Sequence, residues 1–252
     1  MVSHRQEAAL PHVLTSHPPR RPFDFLPLVV ELPRNLHHIS FLVGLGVPDS
    51  WSIHDVLGLE EDLLAMVPQP VASVIFLHPI NEKAESHKAE QQSSIESSGQ
   101  DVSENVYFMK QFVGNACGTV ALLHAVANNL NKIELEDGPL KEFLEKTKSM
   151  SEEERGHELE KDEGISKAHE ESAQEGQTEA PDRETKMDMH FIAFVEVDGH
   201  LYELDGRKKF AVNHGATTSD SLLADSAKIC QEFISRDPEE SRFAVVALTG
   251  AQ

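Results

Sequence analysis

The chain has 252 residues, 39% of them hydrophobic, and its 43 acidic against 22 basic side chains leave a formal net charge of −21. That length suits one large domain or two small ones, and the acidity argues against nucleic acid and anionic membranes, which reward positive charge. Only two cysteines, Cys117 and Cys230, are present, too few for a disulfide framework or a four-cysteine zinc site, which points to a reduced, intracellular protein.

Residues 1–34 hold six prolines and read as an irregular N-terminal extension. Arginines near the start raise the idea of a transit peptide, but the prolines spoil the amphipathic helix one needs. The longest apolar run nearby, Ile39 to Val47, is nine residues, too short to span a bilayer. The pattern predicts short helices over Leu36–Leu45 and Glu60–Met66. Val71–Leu77 is apolar, β-branched and bracketed by Pro68, Pro70 and Pro79, which predicts a buried strand. Asn81–Ser103 is polar and reads as a surface loop, and Val106–Lys110 as a short extended run.

Asn115 is placed to cap a helix from Ala116 to Asn128 that is almost wholly apolar, hence buried on every side. Cys117 then lies in the first turn of a central helix. Pro139–Thr147 predicts a further helix, and Ser151 with Glu154 three residues on makes a capping box. Ser151–Lys186 carries thirteen acidic and five basic residues. Its first half reads as helical and Gly164–Lys186 as a mobile loop, of a length that is often functional in compact domains. His190–Asp205 reads as a hairpin turning at Asp198-Gly199. A helix over Ser219–Ser235 and a strand over Arg242–Thr249 close the chain. Helices and hairpin-linked strands mix without a βαβ repeat, which predicts an α+β domain with an antiparallel sheet over residues 35–252.

The hairpin register carries a geometric consequence. With the turn at Asp198-Gly199, Val197 faces His200 and Asp205 faces Ile192, two residues from His190. His190 and Asp205 therefore share one face as diagonal neighbours about 7–8 Å apart, within reach of long polar side chains. A carboxylate bonded to one imidazole nitrogen leaves the other free as a base. Cys117, at a helix N-terminus, has its thiolate favoured by the helix dipole, and its own N–H is available to a developing oxyanion. Gln111, six residues upstream, offers a second donor, and Gly118 keeps the approach to the sulfur open.

The plainer reading stands beside this one. A free cysteine is more often a packing residue than a nucleophile, and Asp205 before Gly206 suits a turn. His124 and Cys230 read as core, and His200 and His214 as surface groups beside turns. No phosphate-cradling glycine loop or metal-ligand cluster is visible, so no cofactor is expected.

The stretches VYFMKQFVGNACGT (106–119), EEDLLAMVPQPVASVIFLHPI (60–80), AHEESAQEGQTEAP (168–181) and HFIAFVEVDGHLYELDGRKKFAVNHG (190–215) resemble the ubiquitin C-terminal hydrolases, a family of cysteine deubiquitinases. The resemblance spans roughly residues 36–252 and is to the short, single-domain members. It implies a papain-like cysteine protease fold with a central antiparallel sheet between helices and a knotted backbone. It also implies Cys117 as nucleophile, His190 as base, Asp205 as its partner and Gln111 as oxyanion donor. Residues 164–186 match the family's active-site crossover, which restricts substrates to small or flexible adducts on ubiquitin's C-terminal glycine. The expected partner is ubiquitin, with NEDD8 as a related modifier, and no nucleic acid or membrane. A monomer in the cytoplasm, with the nucleus open, completes the expectation. Family members usually open with a Trp and a Pro-Leu-Glu stretch. FLPLVVELPRNLHHISFLVGLGV (25–47) keeps Leu26-Pro27-Leu28 but lacks that Trp, so a ubiquitin-binding protein with weak or lost catalysis is the alternative.

Overall fold

The computed structural model describes residues 36–175 and 188–251. The expected extension over 1–34, and the expected loop from residue 176 to 186, lie outside the described residues. In chain order the elements are α1 (Leu36–Leu45), β1 (Trp51–Asp55), α2 (Glu61–Leu64), β2 (Val71–Pro79), α3 (Glu82–Ser98), α4 (Cys117–Ala127) and α5 (Pro139–Thr147). They continue with α6 (Glu152–Leu159), α7 (Glu163–Glu175), β3 (Met189–Val197), β4 (His200–Leu204), β5 (Val212–Ala216), α8 (Leu222–Ser235) and β6 (Ala244–Gly250). The strands form one sheet in the order β1-β6-β2-β3-β4-β5, with every pairing antiparallel.

The sheet is covered on both faces, so its middle strands read as continuous apolar runs rather than alternating ones. All nine residues of β2 are buried. One face presents Ile75, Leu77, Ala193, Val195 and Leu204 to the core that also holds Leu123 and Val126 of α4. The opposite face presents Val74, Phe76, Ile192, Phe194 and Leu201 to Leu222, Leu223 and Cys230 of α8. Nine of the eleven residues of α4 are buried, as its apolar composition requires.

The β3–β4 hairpin adopts the expected register, Val197 opposite His200 and Ala193 opposite Leu204. Asp198 and Gly199 have φ of 51° and 78°, the positive values a primed two-residue turn needs. The capping box at the start of α6 is complete, with Ser151 and Glu154 bonding reciprocally.

Several local expectations are corrected. The polar run after Asn81 is the helix α3, not a loop: Asn81 accepts a 2.9 Å bond from the Ala84 N–H, and Gly99 ends the helix at φ 76°. Its strong helix formers (Glu, Lys, Ala, Gln) and its cap outweigh the missing apolar stripe. Likewise 164–175, read as loop, lies in the helix α7, which packs against α1. Asn115 does not cap α4. It sits at φ 60°, and Ala116 takes the cap position without a side-chain bond. Val106–Lys110 joins no strand pair. Edge strands β1 and β5, short and partly exposed, carry too weak a period to be read beforehand.

Candidate active site

Three elements deliver three side chains to one place. Cys117 is the first residue of α4, half-buried. His190 is the second residue of β3, and Asp205 follows the last residue of β4. His190 and Asp205 are 2% and 4% exposed. His190 Nε2–H donates to Asp205 Oδ1 at 2.6 Å, so the ring's other nitrogen is the one left for a second partner. Cys117 lies near enough that its thiol and the His190 ring shift each other's titration.

The charges reinforce one another. Burial alone would depress the His190 pKa, but the Asp205 carboxylate, bonded to the ring, and Cys117 outweigh it and raise the value to about 9. Burial alone would raise the Cys117 thiol. The His190 charge and hydrogen bond, with backbone bonds at Phe191 and Gly118, turn the net shift downward. Asp205 is held well below the ordinary carboxylate range, against burial, by His190, by Lys208 and by the Arg207 N–H at 2.8 Å. These directions favour a thiolate beside an imidazolium braced by a carboxylate.

The strand-like segment before the helix is held by many separate bonds rather than by the sheet. Tyr107 N–H donates to Asn128 Oδ1 at 2.8 Å, Met109 N–H to His124 Nε2 at 3.1 Å and Lys110 N–H to the Glu152 carbonyl at 3.0 Å. Gln111 N–H donates to the Gly206 carbonyl at 2.8 Å, which stitches this segment to the turn after Asp205. A Cβ on Gly206 would lie 3.0 Å from Gln111 Cβ, tighter than an ordinary contact, so the close approach favours glycine. The Gln111 amide donates one N–H to the Val113 carbonyl at 3.0 Å and keeps its second N–H. His124 is fully buried, and burial drives its pKa down to about 4, so its neutral Nε2 can accept from Met109.

The family model for ubiquitin carboxyl-terminal hydrolase, family 1, matches residues 37–235. The chain belongs to that family. A Drosophila melanogaster ubiquitin carboxyl-terminal hydrolase is 51% identical over 213 residues, spanning 84% of this chain and 93% of its own. Ubiquitin carboxyl-terminal hydrolase isozyme L1 of Rattus norvegicus is 51% identical over 211 residues, spanning 83% of this chain and 92% of its own. Among solved structures, the Trichinella spiralis UCH37 catalytic domain bound to ubiquitin vinyl methyl ester superposes with a TM-score of 0.65 at 24% identity, covering 85% of this chain and 91% of that one. The fold is the papain-like α+β fold of this family of cysteine hydrolases.

Other residues around the site escaped the sequence reading. His78 of β2 faces His190 across the sheet, rings edge to face at 5.7 Å. Its Nδ1–H donates to the Pro79 carbonyl at 3.0 Å, and burial, then the neighbouring His190 charge, lowers its pKa to about 4. His214 is no surface group: its Nε2–H donates to the fully buried Glu203 at 2.8 Å. The missed signal was alternation. Glu203 lies two residues before Asp205 and so shares its buried face. Among the described residues, no group of three or more His, Cys, Asp or Glu is arranged to hold a metal, and no helix is long and apolar enough to cross a membrane.

Proposed function

We propose that this chain is a deubiquitinase that hydrolyses amide, ester or thioester bonds after the terminal glycine of ubiquitin. Cys117 is its nucleophile, His190 its acid and base, and Asp205 the group that orients His190. The single observation that carries the reading is the convergence of Cys117, at the N-terminus of a buried helix, on a His190 ring that donates to Asp205 at 2.6 Å. The Cys117 thiolate attacks the carbonyl carbon, and charge develops on an oxygen served by the Cys117 N–H and the free N–H of Gln111. The bond to the leaving group breaks as the His190 imidazolium gives it a proton. Neutral His190 then takes a proton from water, whose oxygen attacks the thioester. Sulfur departs as thiolate and the imidazolium is restored.

The substrate assignment draws on family membership and on charge. A net charge of −21 suits a modifier whose tail carries arginines before its Gly-Gly end. The restriction to small or flexible adducts rests on family membership. Ubiquitin bearing a fluorogenic C-terminal leaving group tests the proposal. Turnover that disappears in Cys117→Ala supports it, and turnover that survives this substitution refutes the nucleophile.

A further inference from the structure

Beneath the catalytic run lies a second buried charge cluster that the reaction above leaves unused. Glu203 and Asp205 leave β4 on the same face, two residues apart, and are 0% and 4% exposed. Two carboxylates so placed disfavour each other's ionisation unless each has its own cation. Asp205 has His190. Glu203 has the Lys208 ammonium and His214, which together outweigh its burial and hold its pKa at about 2.

Lys208 is only 4% exposed and closes the turn that Asp205 opens. Its backbone N–H donates to the Asp205 carbonyl at 2.8 Å, while the intervening Arg207 N–H takes Asp205 Oδ1 at 2.8 Å. The side chain then folds back under the turn. Its ammonium donates to Glu203 on β4 and, at 2.5 Å, to Gln91 Oε1 on α3. One residue thus ties the turn carrying Asp205 to a neighbouring strand position and to a helix across the face. A cavity of about 20 Å³ lies there, and the other ionisable groups lining it are His78, His190, Glu85, His87, Lys88 and Arg207. Arg207 is itself held by Glu85 at 3.3 Å.

We propose that Lys208 is a positioning residue for the reaction, acting through Asp205: anchored between Glu203 and Gln91, it fixes the turn that aims the Asp205 carboxylate at His190. The inference rests on the proposed function for its kinetic consequence, though not for its geometry. The competing role is simple neutralisation of Glu203, and the two separate when both members of the pair are removed. Lys208→Met alone strands a buried carboxylate and can unfold the chain. Glu203→Gln with Lys208→Met removes the buried carboxylate and its ammonium together, leaves His214 able to turn neutral, and serves as the decisive variant.

The readouts are steady-state hydrolysis of fluorogenic ubiquitin, and the pH dependence of Cys117 alkylation by iodoacetamide, which needs no ubiquitin. A loosened Asp205 supports the imidazolium less, so the thiolate forms at higher pH. In the folded double variant the acid limb of the alkylation profile should rise by half a pH unit or more. The value of kcat should fall at least tenfold, with KM within about twofold. An alkylation profile and kcat equal to those of the unmodified chain would overturn the assignment and leave Lys208 a neutralising partner only. A shifted alkylation profile in a chain that never cleaves ubiquitin would instead refute the proposed substrate while supporting the role of Lys208.

Discussion

Replacing Asp205 with Asn keeps the shape of the side chain and removes its charge. In the intact site His190 stands at about 9 against an ordinary 6.5, and Asp205 heads the causes that raise it. That rise of about 2.5 is worth about 3–4 kcal/mol at roughly 1.4 kcal/mol per pH unit. Without the carboxylate, the largest cause of the rise is gone and burial pulls the ring's pKa down. At pH 8, where the intact site holds the ring mostly protonated, the imidazolium fraction then falls, by about tenfold for each pH unit that the pKa drops below the assay pH. Loss of ring orientation adds to that. The assay is kcat/KM on fluorogenic ubiquitin from pH 5 to 10, with ubiquitin affinity measured separately in a Cys117→Ala background. The alkaline limb should move down by one to two pH units while affinity stays within about twofold. A limb that remains near 9 in a folded Asp205→Asn variant would refute the electrostatic argument.

Further consequences are equally open to measurement. Because the folded-state pKa of His190 lies above its unfolded value, its contribution to stability is full below about 6.5 and lost as pH rises through about 9. Thermal unfolding should therefore show Tm falling across that window, and the fall should flatten in Asp205→Asn. A Cβ on Gly156 would lie 2.1 Å from the Lys110 carbonyl oxygen. Gly156→Ala must therefore displace the segment that carries Gln111, at roughly 1–3 kcal/mol of stability, and denaturant unfolding with steady-state kinetics should show both midpoint and kcat reduced. Phe194 is fully buried, so Phe194→Ala should lower the unfolding free energy by about 3–5 kcal/mol in the same denaturant measurement. Cys230 is fully buried, and burial pushes its thiol well above the ordinary range. Brief iodoacetamide treatment at pH 7, read by peptide mass mapping, should therefore modify Cys117 and spare Cys230.

Much of the arrangement was legible because a few signals admit a single physical reading. Asp198-Gly199 between two alternating runs fixes a hairpin and its register, and the register places His190 and Asp205 on one face. An apolar run after Gly-Asn-Ala-Cys is a helix buried on all sides, which sets Cys117 at its start. Other features depend on tertiary context that one sequence window does not contain. The helix α3 has no apolar stripe and no buried residue, and much of its attachment comes from polar contacts such as Lys208 to Gln91 and Lys209 to Glu96. The segment 106–111 was legible as extended, but its bonds run to α4, to the start of α6 and to the turn at Gly206, none of which a local pattern reports. His214 looked like a turn residue because its partner, Glu203, is buried on a neighbouring strand. His78 lies just past the strand expected over Val71–Leu77, and its neighbour His190 lies 112 positions away in the chain.

The central claim is that one sulfur, ionised by an imidazole that a carboxylate braces, forms a bond to the last residue of ubiquitin. Ubiquitin carrying an electrophile in place of its terminal carboxylate reports this in one step, by intact mass and then by peptide mapping. The account predicts a single adduct of one ubiquitin per chain, located at Cys117 and absent from Cys117→Ala. A folded chain that forms no adduct, or forms one at another residue, would contradict it.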